Sequence, residues 1–162
     1  MKWILPLEDL PAASPADIGG KGAALHRLMT GGDSIPPTVC ITARAYADFV
    51  DHAGLREKIH LELHRKHFAE MRWEEVWDAS QRLRLLFLKS PLPPAMADAM
   101  TEVLAGAFGD TATCVRSSAP EEDGSGHSFA GLHQSYTHIH GPAAIIRHIR
   151  LVWASLWSDA AL

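Results

Sequence analysis

Two stretches of the sequence combine glycines with one fixed positive charge, a pattern suited to binding an anion. The first stretch is IGGKGAALHRL, residues 18 to 28, in which Lys21 lies at the start of a predicted helix. Glycines let the backbone approach a phosphate closely, and a helix N-terminus presents free N–H groups and a positive dipole end. Because Lys21 adds a point charge, the stretch suits a polyphosphate.

A plainer interpretation of this stretch is an ordinary glycine turn followed by a surface lysine, since glycines often precede helices. It is not a Walker A loop, because Pro15 occupies the position of the first glycine of that motif. Gly22 and Ala23 also follow the lysine where the motif has serine or threonine. The first stretch alone therefore leaves both interpretations open.

The second stretch, VRSSAPEEDGSGHSFAGLHQSY, spans residues 115 to 136 and begins with Arg116 at the end of a predicted strand. Arginine keeps its charge and can hold two phosphate oxygens at once. Glycines in the loop would let its N–H groups fold over a ligand, and serine hydroxyls can donate to phosphate oxygens. These residues are Gly124, Gly126, Gly131, Ser128 and Ser135. The pattern predicts a lid over an anion.

The acidic run in this loop supports two further interpretations. Arg116 could simply pair with Glu121, Glu122 or Asp123 in a long β-hairpin, although so long a loop in a compact domain is uncommon unless it is functional. The acids could also hold Mg²⁺ beside a nucleotide, but three adjacent carboxylates cannot all face one ion. We favour a role in balancing the charge of Arg116.

Three other groups of residues could do chemistry, and each has a structural alternative that we favour. His60, His64 and His67 could share a helical face and bind a metal, but the charged residues around them indicate a solvated face. Four tryptophans at helical spacing predict core packing rather than a base-stacking platform. They are Trp73, Trp77, Trp153 and Trp157. Cys40 and Cys114 look like small buried side chains, with a disulfide as the alternative.

Composition limits the classes of protein to consider. A chain of 162 residues that is 47% hydrophobic can bury one core and predicts a single domain or one lobe. Its net charge of -4 argues against a general nucleic-acid binder, which needs clustered lysine and arginine. No apolar run approaches the roughly 20 residues that cross a bilayer. MKWILPLEDLP becomes acidic too early for a signal peptide, so we expect a cytoplasmic protein.

Hydrophobic periodicity predicts an α+β fold. Strands are expected at WILPL, IPPTVCIT, TATCVRSS and SYTHIH, so the second stretch joins two strands. One helix is expected from the glycines beside Lys21 to Gly31, and a second from the N-cap Thr42 to Gly54. Three later helices are expected where apolar residues recur at helical spacing and form a stripe. Those stripes contain Val76, Ser80, Leu83 and Phe87; Met96, Met100, Val103 and Ala107; and Ile145, Ile149, Val152 and Leu156. Residues 55 to 68 predict a solvated, weakly helical element.

Taken in order, IGGKGAALHRL, IPPTVCITARAYADF, CVRSSAPEEDGSGHSFAGLHQSY and VWASLWSDAA resemble a known family. It is the N-terminal nucleotide-binding region of the pyruvate phosphate dikinase and phosphoenolpyruvate synthase family, which includes rifampicin phosphotransferase. The VRSSA and SFAG elements at this separation are highly specific, whereas GGKG alone is weak. Residues 52 to 105 are the least recognisable part.

The resemblance implies that residues 1 to 162 form the first lobe of an ATP-grasp domain, with a mixed or antiparallel sheet flanked by helices. ATP, with Mg²⁺, would be bound between two lobes. Lys21 and Arg116 would contact the ATP phosphates and compensate their charge during transfer. Gly131 would contribute backbone within the lid, and Ser135 would replace a threonine that contacts nucleotide. Family members pass the phosphate to a histidine on another domain, then to pyruvate or a drug.

The sequence also departs from the family pattern. Pro120 replaces the threonine of RSSATAED, and residues 124 to 127 replace an LPDA-type segment, so the loop differs at two places. The second lobe, which carries the Mg²⁺ ligands and adenine pocket in the family, has no counterpart, and no histidine here inherits the phospho-accepting role. We therefore expect a catalytically silent lobe whose partners are further domains. The alternatives are a stand-alone non-catalytic nucleotide or anion-binding module and a histidine-based metal protein.

Overall fold

The computed structural model describes residues 3–10, 15–118 and 134–162, and within these ranges the chain forms six α-helices and four short strands. In chain order they are β1 (Ile4–Pro6), α1 (Pro15–Thr30), β2 (Val39–Ile41), α2 (Ala43–His52), α3 (Leu55–Leu63), α4 (Trp73–Lys89), α5 (Pro94–Phe108), β3 (Thr113–Arg116), β4 (Ser135–Ile139) and α6 (Pro142–Ser155). Helices combined with small antiparallel sheets confirm the predicted α+β class. None of the helices in the described ranges has the length and apolar character needed to cross a membrane.

The four strands form two antiparallel pairs. β1 pairs with β2, and β3 pairs with β4, so the prediction that the second glycine-rich stretch joins two strands is confirmed. The β3–β4 ladder contains a register shift between Thr113 and Val115, and His138 on the longer side has a φ of 58°. Beyond this bulge the ladder ends with Arg116 opposite Ser135.

The main hydrophobic core lies between helices α2, α4, α5 and α6. Phe49 and Trp153 stack with ring centroids 5.2 Å apart, and Phe87 lies 5.9 Å from Phe49. The buried faces of α4, α5 and α6 contain most of the residues that periodicity selected. They include Ser80, Leu83, Phe87, Met96, Met100, Ile145, Ile149 and Val152. Thr42 caps α2 as predicted, because its side chain accepts a hydrogen bond from the Ala45 N–H at 3.3 Å.

A second, smaller hydrophobic cluster lies under α1. Its buried members come from the segment after β1, from the first half of α1 and from β2. They are Leu7, Leu10, Ile18, Ala23 and Cys40. This cluster holds the glycine-rich part of α1 against the β1–β2 pair, so the element that carries Lys21 packs separately from the main core.

Several predictions about exposure were wrong. Trp73 and Trp77 are 68% and 45% exposed, because α4 turns its buried stripe, not these two residues, toward the core. Cys114 is exposed because Val115 takes the inward position in β3, and both cysteines are free thiols. The element predicted to be solvated after residue 54 contains α3, which buries Leu55 completely.

The start of α4 is stabilised by one carboxylate. Glu75 accepts a hydrogen bond from the Arg72 backbone N–H at 2.8 Å, and Lys66 donates its Nζ to the same oxygen at 2.9 Å. The Arg72 hydrogen bond, followed by Lys66, lowers the pKa of Glu75 from its ordinary 4.5 to about 2. Because the folded state favours the ionised form, this carboxylate stabilises the fold above its unfolded pKa.

We predict that Glu75→Gln lowers the free energy of unfolding at neutral pH, because glutamine keeps the shape and loses the charge. The difference from the wild-type protein should shrink as pH falls from 4.5 toward 2, where the carboxylate becomes protonated in both states. Urea unfolding followed by circular dichroism at several pH values measures this difference. As a control, Glu74→Gln removes the neighbouring exposed charge and leaves both bonds of Glu75 intact. A pH-independent effect of Glu75→Gln would contradict the prediction.

Candidate functional site

The two sequence-selected residues of the hairpin face each other at its open end. Arg116 is the last residue of β3, Ser135 is the first residue of β4, and the two are direct partners in the antiparallel register. Both are exposed. A fixed guanidinium charge and a hydroxyl donor therefore lie together at this end of the β3–β4 pair, which we call the Arg116 edge. An anion can contact both groups there.

Lys21 lies just after an interruption in α1. Gly19 has φ 72° and ψ 172°, a region open essentially to glycine alone, so the regular helix begins after it and continues through Thr30. Lys21 is half-buried in the first turn of that regular segment. The prediction of a helix that starts at the glycines and presents Lys21 near its N-terminus is confirmed.

The interruption at Gly19 is also a close contact with the second stretch. A Cβ added to Gly19 would lie 1.2 Å from the carbonyl oxygen of Ser118, a distance that no side chain can tolerate. The glycine was expected to allow approach to a phosphate, but at this position the absent side chain allows the backbone of Ser118 to approach. Glycine is therefore required at residue 19 for packing within the protein itself.

The side chain of Ser118 joins the same two segments. The Gly22 N–H donates to Ser118 Oγ at 3.0 Å, and Ser118 Oγ donates to the Ile18 carbonyl at 2.8 Å. These hydrogen bonds connect residues 96 and 100 positions apart in the sequence. Since Ser118 follows Arg116 by two residues, the contact brings the Lys21 turn to the end of β3 where Arg116 and Ser135 lie.

The surface under the Lys21 turn is apolar and neutral. A Cβ on Gly22 would meet Ile18 Cβ at 3.3 Å and Cys40 Sγ at 3.4 Å, so this turn lies directly on the small cluster. Burial raises the pKa of the Cys40 thiol, which keeps it uncharged near neutral pH. A Cys40 thiolate therefore does not offset the positive charge of Lys21 near neutral pH.

Neither of two grooves in the part of the chain that the structure describes includes Lys21, Arg116 or Ser135 in its lining. These grooves have volumes of about 330 and 300 Å³ and are lined by other residues, including Tyr46 and Trp157 in the first and Glu62 and Arg82 in the second. An anion at the Arg116 edge would be held by charges and by N–H or O–H donors.

Some of the features predicted from the sequence lie outside the described residues. Gly131 and the acidic run 121–123 lie outside, so the predicted lid and its charge balance stay predictions.

His60 and His64 have ring centroids 4.0 Å apart. Among residues 3–10, 15–118 and 134–162, no group of three or more histidine, cysteine or acidic side chains could hold a metal. Sequence reasoning did not select Ser118, because its partners are distant in sequence.

Comparison with known proteins gives consistent similarities. The profile of the family described as pyruvate phosphate dikinase, AMP/ATP-binding domain, matches residues 16–162. The chain is 34% identical over 159 residues to the prodigiosin-synthesizing transferase of Serratia marcescens, covering 98% of this chain and 16% of that protein. It is 35% identical over 162 residues to rifampicin phosphotransferase of Streptomyces sviceus, covering 99% and 18%. It is 33% identical over 172 residues to phosphoenolpyruvate synthase of Aeropyrum pernix, covering 99% and 20%.

Because Ser118 approaches Gly19 so closely, we predict that replacing Gly19 lowers the free energy of unfolding by an unusually large amount. Gly19→Ala should destabilise the fold by roughly 3 kcal/mol or more, because backbone must move to admit the methyl group. Gly32→Ala is the matched control: its φ is 94°, and no atom lies within 4 Å of the added Cβ. That variant should lose only about 1–2 kcal/mol from left-handed backbone strain. Chemical denaturation measures both, and equal losses would show that the Ser118 contact has no role.

Proposed function

Because the chain belongs to the family of pyruvate phosphate dikinase AMP/ATP-binding domains, we propose that it binds the phosphates of ATP at the Arg116 edge. Lys21 and Arg116 would contact phosphate oxygens, and the Ser135 hydroxyl would donate to the nucleotide. Gly131 would add a backbone N–H from the lid. The observation that carries the proposal is the contact of Gly22 with Ser118, which supports action by the two glycine-rich stretches on one ligand.

The charges and donors at this edge suit a polyphosphate. Arg116 offers a planar fork of donors that matches two phosphate oxygens, while Lys21 offers a compact charge at a helix N-terminus whose dipole also favours anions. The whole chain carries a net charge of -4, so attraction of a nucleotide must come from these local groups rather than from a general positive field.

We further propose that residues 1–162 are the first lobe of an ATP-grasp domain, with a second lobe and further domains needed for the complete reaction. The α+β architecture with small antiparallel sheets supports this proposal. The chain spans between 16% and 20% of the length of the three relatives described above. A large part of each relative therefore has no counterpart in these residues.

The proposed reaction of the whole protein is phosphoryl transfer from ATP to a histidine on another domain and then to an acceptor. Lys21 and Arg116 would stabilise the charge on the phosphoryl group during transfer, which is how phosphotransferases obtain most of their rate. The names of the relatives refer to prodigiosin, rifampicin and phosphoenolpyruvate, three different compounds. This variety supports the proposal that parts of the protein outside the ATP-binding region select the acceptor.

Magnesium would enter with ATP, whose phosphate oxygens supply part of its coordination. Carboxylates that could complete its shell are not clustered in the described residues. The family resemblance supports protein ligands for the ion in another part of the protein, with Lys21 and Arg116 binding phosphate without contacting the metal.

We predict that Lys21→Ala and Arg116→Ala each weaken MgATP binding by about tenfold or more, as expected for the loss of a charge-assisted hydrogen bond. Titration of the chain with MgATP, followed by NMR chemical shifts, measures weak as well as strong binding. Lys58→Ala and Arg147→Ala remove exposed charges on α3 and α6 and serve as controls that should keep the wild-type affinity. Unchanged affinity in both site variants would refute the proposed phosphate contacts.

The affinity of the wild-type chain separates the leading function from its alternative. One lobe of a two-lobed site covers ATP on one side only, so we expect a dissociation constant near the millimolar range, about 4 kcal/mol of binding free energy. A stand-alone nucleotide-binding module predicts micromolar binding, about 8 kcal/mol. The same NMR titration or calorimetry distinguishes these values.

A further inference from the structure

The regular helix that carries Lys21 begins without a capping side chain of its own. Helices usually start after a residue whose side-chain oxygen accepts a hydrogen bond from the second or third helical N–H. Here the preceding residue is Gly19, which has no side chain, and the third N–H of the regular segment is that of Gly22. The Gly22 N–H donates to the hydroxyl of Ser118 at 3.0 Å.

We propose that Ser118 is the N-cap of this helix, supplied from a distant part of the chain, and that it thereby positions Lys21 relative to Arg116. The second half of this proposal rests on the proposed ATP-binding function. Ser118 would touch neither ATP nor the reacting atoms, so it is a positioning residue rather than a catalytic residue.

The hydrogen bonding of Ser118 supports this role on both sides of the interruption. Its oxygen accepts from Gly22 after the interruption, and its proton goes to the Ile18 carbonyl before it, at 2.8 Å. One hydroxyl thus satisfies a donor and an acceptor that the break at Gly19 leaves without their usual helical partners. This arrangement fixes the direction in which the helix starts.

The same residue is tied closely to Arg116. Ser118 follows Arg116 by two residues, at most about 7 Å of extended chain. Arg116 is itself fixed by its pairing with Ser135 in the β3–β4 ladder. A shift of the helix start relative to Ser118 would therefore move Lys21 relative to both other proposed ligand contacts. Misplacement by about 1 Å is enough to weaken a multi-point phosphate site substantially.

The cap can be removed without removing the close backbone contact. It is the carbonyl oxygen of Ser118, present in every residue type, that lies against Gly19, whereas the cap is the hydroxyl. Ser118→Ala should keep the packing and lose only the two hydrogen bonds. Ser155→Ala provides the control, because Ser155 likewise donates its hydroxyl to a backbone carbonyl, that of Val152 within α6, at 2.7 Å.

The test combines amide hydrogen exchange with MgATP titration by NMR in the 162-residue chain. In Ser118→Ala, the Gly22 amide should exchange about fivefold faster, the typical effect of losing an N-cap, while core amides such as that of Phe87 keep their relative protection. Affinity for MgATP should fall by about fivefold or more. Ser118→Thr, which keeps a hydroxyl, should recover most of both losses, and Ser155→Ala should change neither.

Different results overturn different parts of the proposal. Unchanged Gly22 exchange in Ser118→Ala would overturn the cap. Suppose that Ser118→Ala speeds Gly22 exchange but keeps the wild-type affinity for MgATP, while Lys21→Ala does weaken binding. That result would overturn only the positioning role. A wild-type chain that shows no MgATP binding would overturn the proposed function and the positioning role together, while Gly22 exchange would still decide whether Ser118 caps the helix.

Discussion

The arrangement of the candidate site depends on the contact between Gly19 and the backbone of Ser118. A Cβ at residue 19 would lie 1.2 Å from the Ser118 carbonyl oxygen, so the two segments can meet only because one of them is glycine. This contact joins the turn that carries Lys21 to the strand end that carries Arg116. The hydrogen bonds of the Ser118 hydroxyl to Gly22 and Ile18 join the same two segments beside this contact.

Two separate hydrophobic clusters hold the partners of this contact in place. Ile18 and Ala23 of α1 belong to the small cluster with Cys40, whereas Val115 of β3 belongs to the main core with α6. The Gly19–Ser118 contact therefore lies at the boundary between two packed units. Hydrogen bonds suit such a boundary, because they fix direction with few atoms where there is little apolar surface to bury. A ligand bound across the boundary would be sensitive to any movement between the units.

The sequence could predict the local features of this arrangement but not the contact itself. Periodicity identified the buried stripes of α4, α5 and α6, and residue type identified the Thr42 cap, because both depend on neighbours within a few residues. Trp73 was assigned to the interior from its helical spacing and Cys114 from its place in a predicted strand, yet tertiary packing left both exposed. Ser118 was missed for a related reason: its partners lie about a hundred positions away, a separation at which no local pattern carries information.

The exposure of Arg116 and Ser135 has consequences for how strongly these two side chains alone could hold a nucleotide. Arg116 and Ser135 are both exposed, so charges there act in a high effective dielectric, where a pair of unit charges at 4 Å gains only about 1 kcal/mol. The same groups would gain several times more once another surface excluded water from the phosphates. Strong binding by these two side chains would therefore depend on a surface that excludes water from the phosphates. Positioning Lys21 and Arg116 in advance, through Ser118, reduces the ordering that such a closure would have to accomplish.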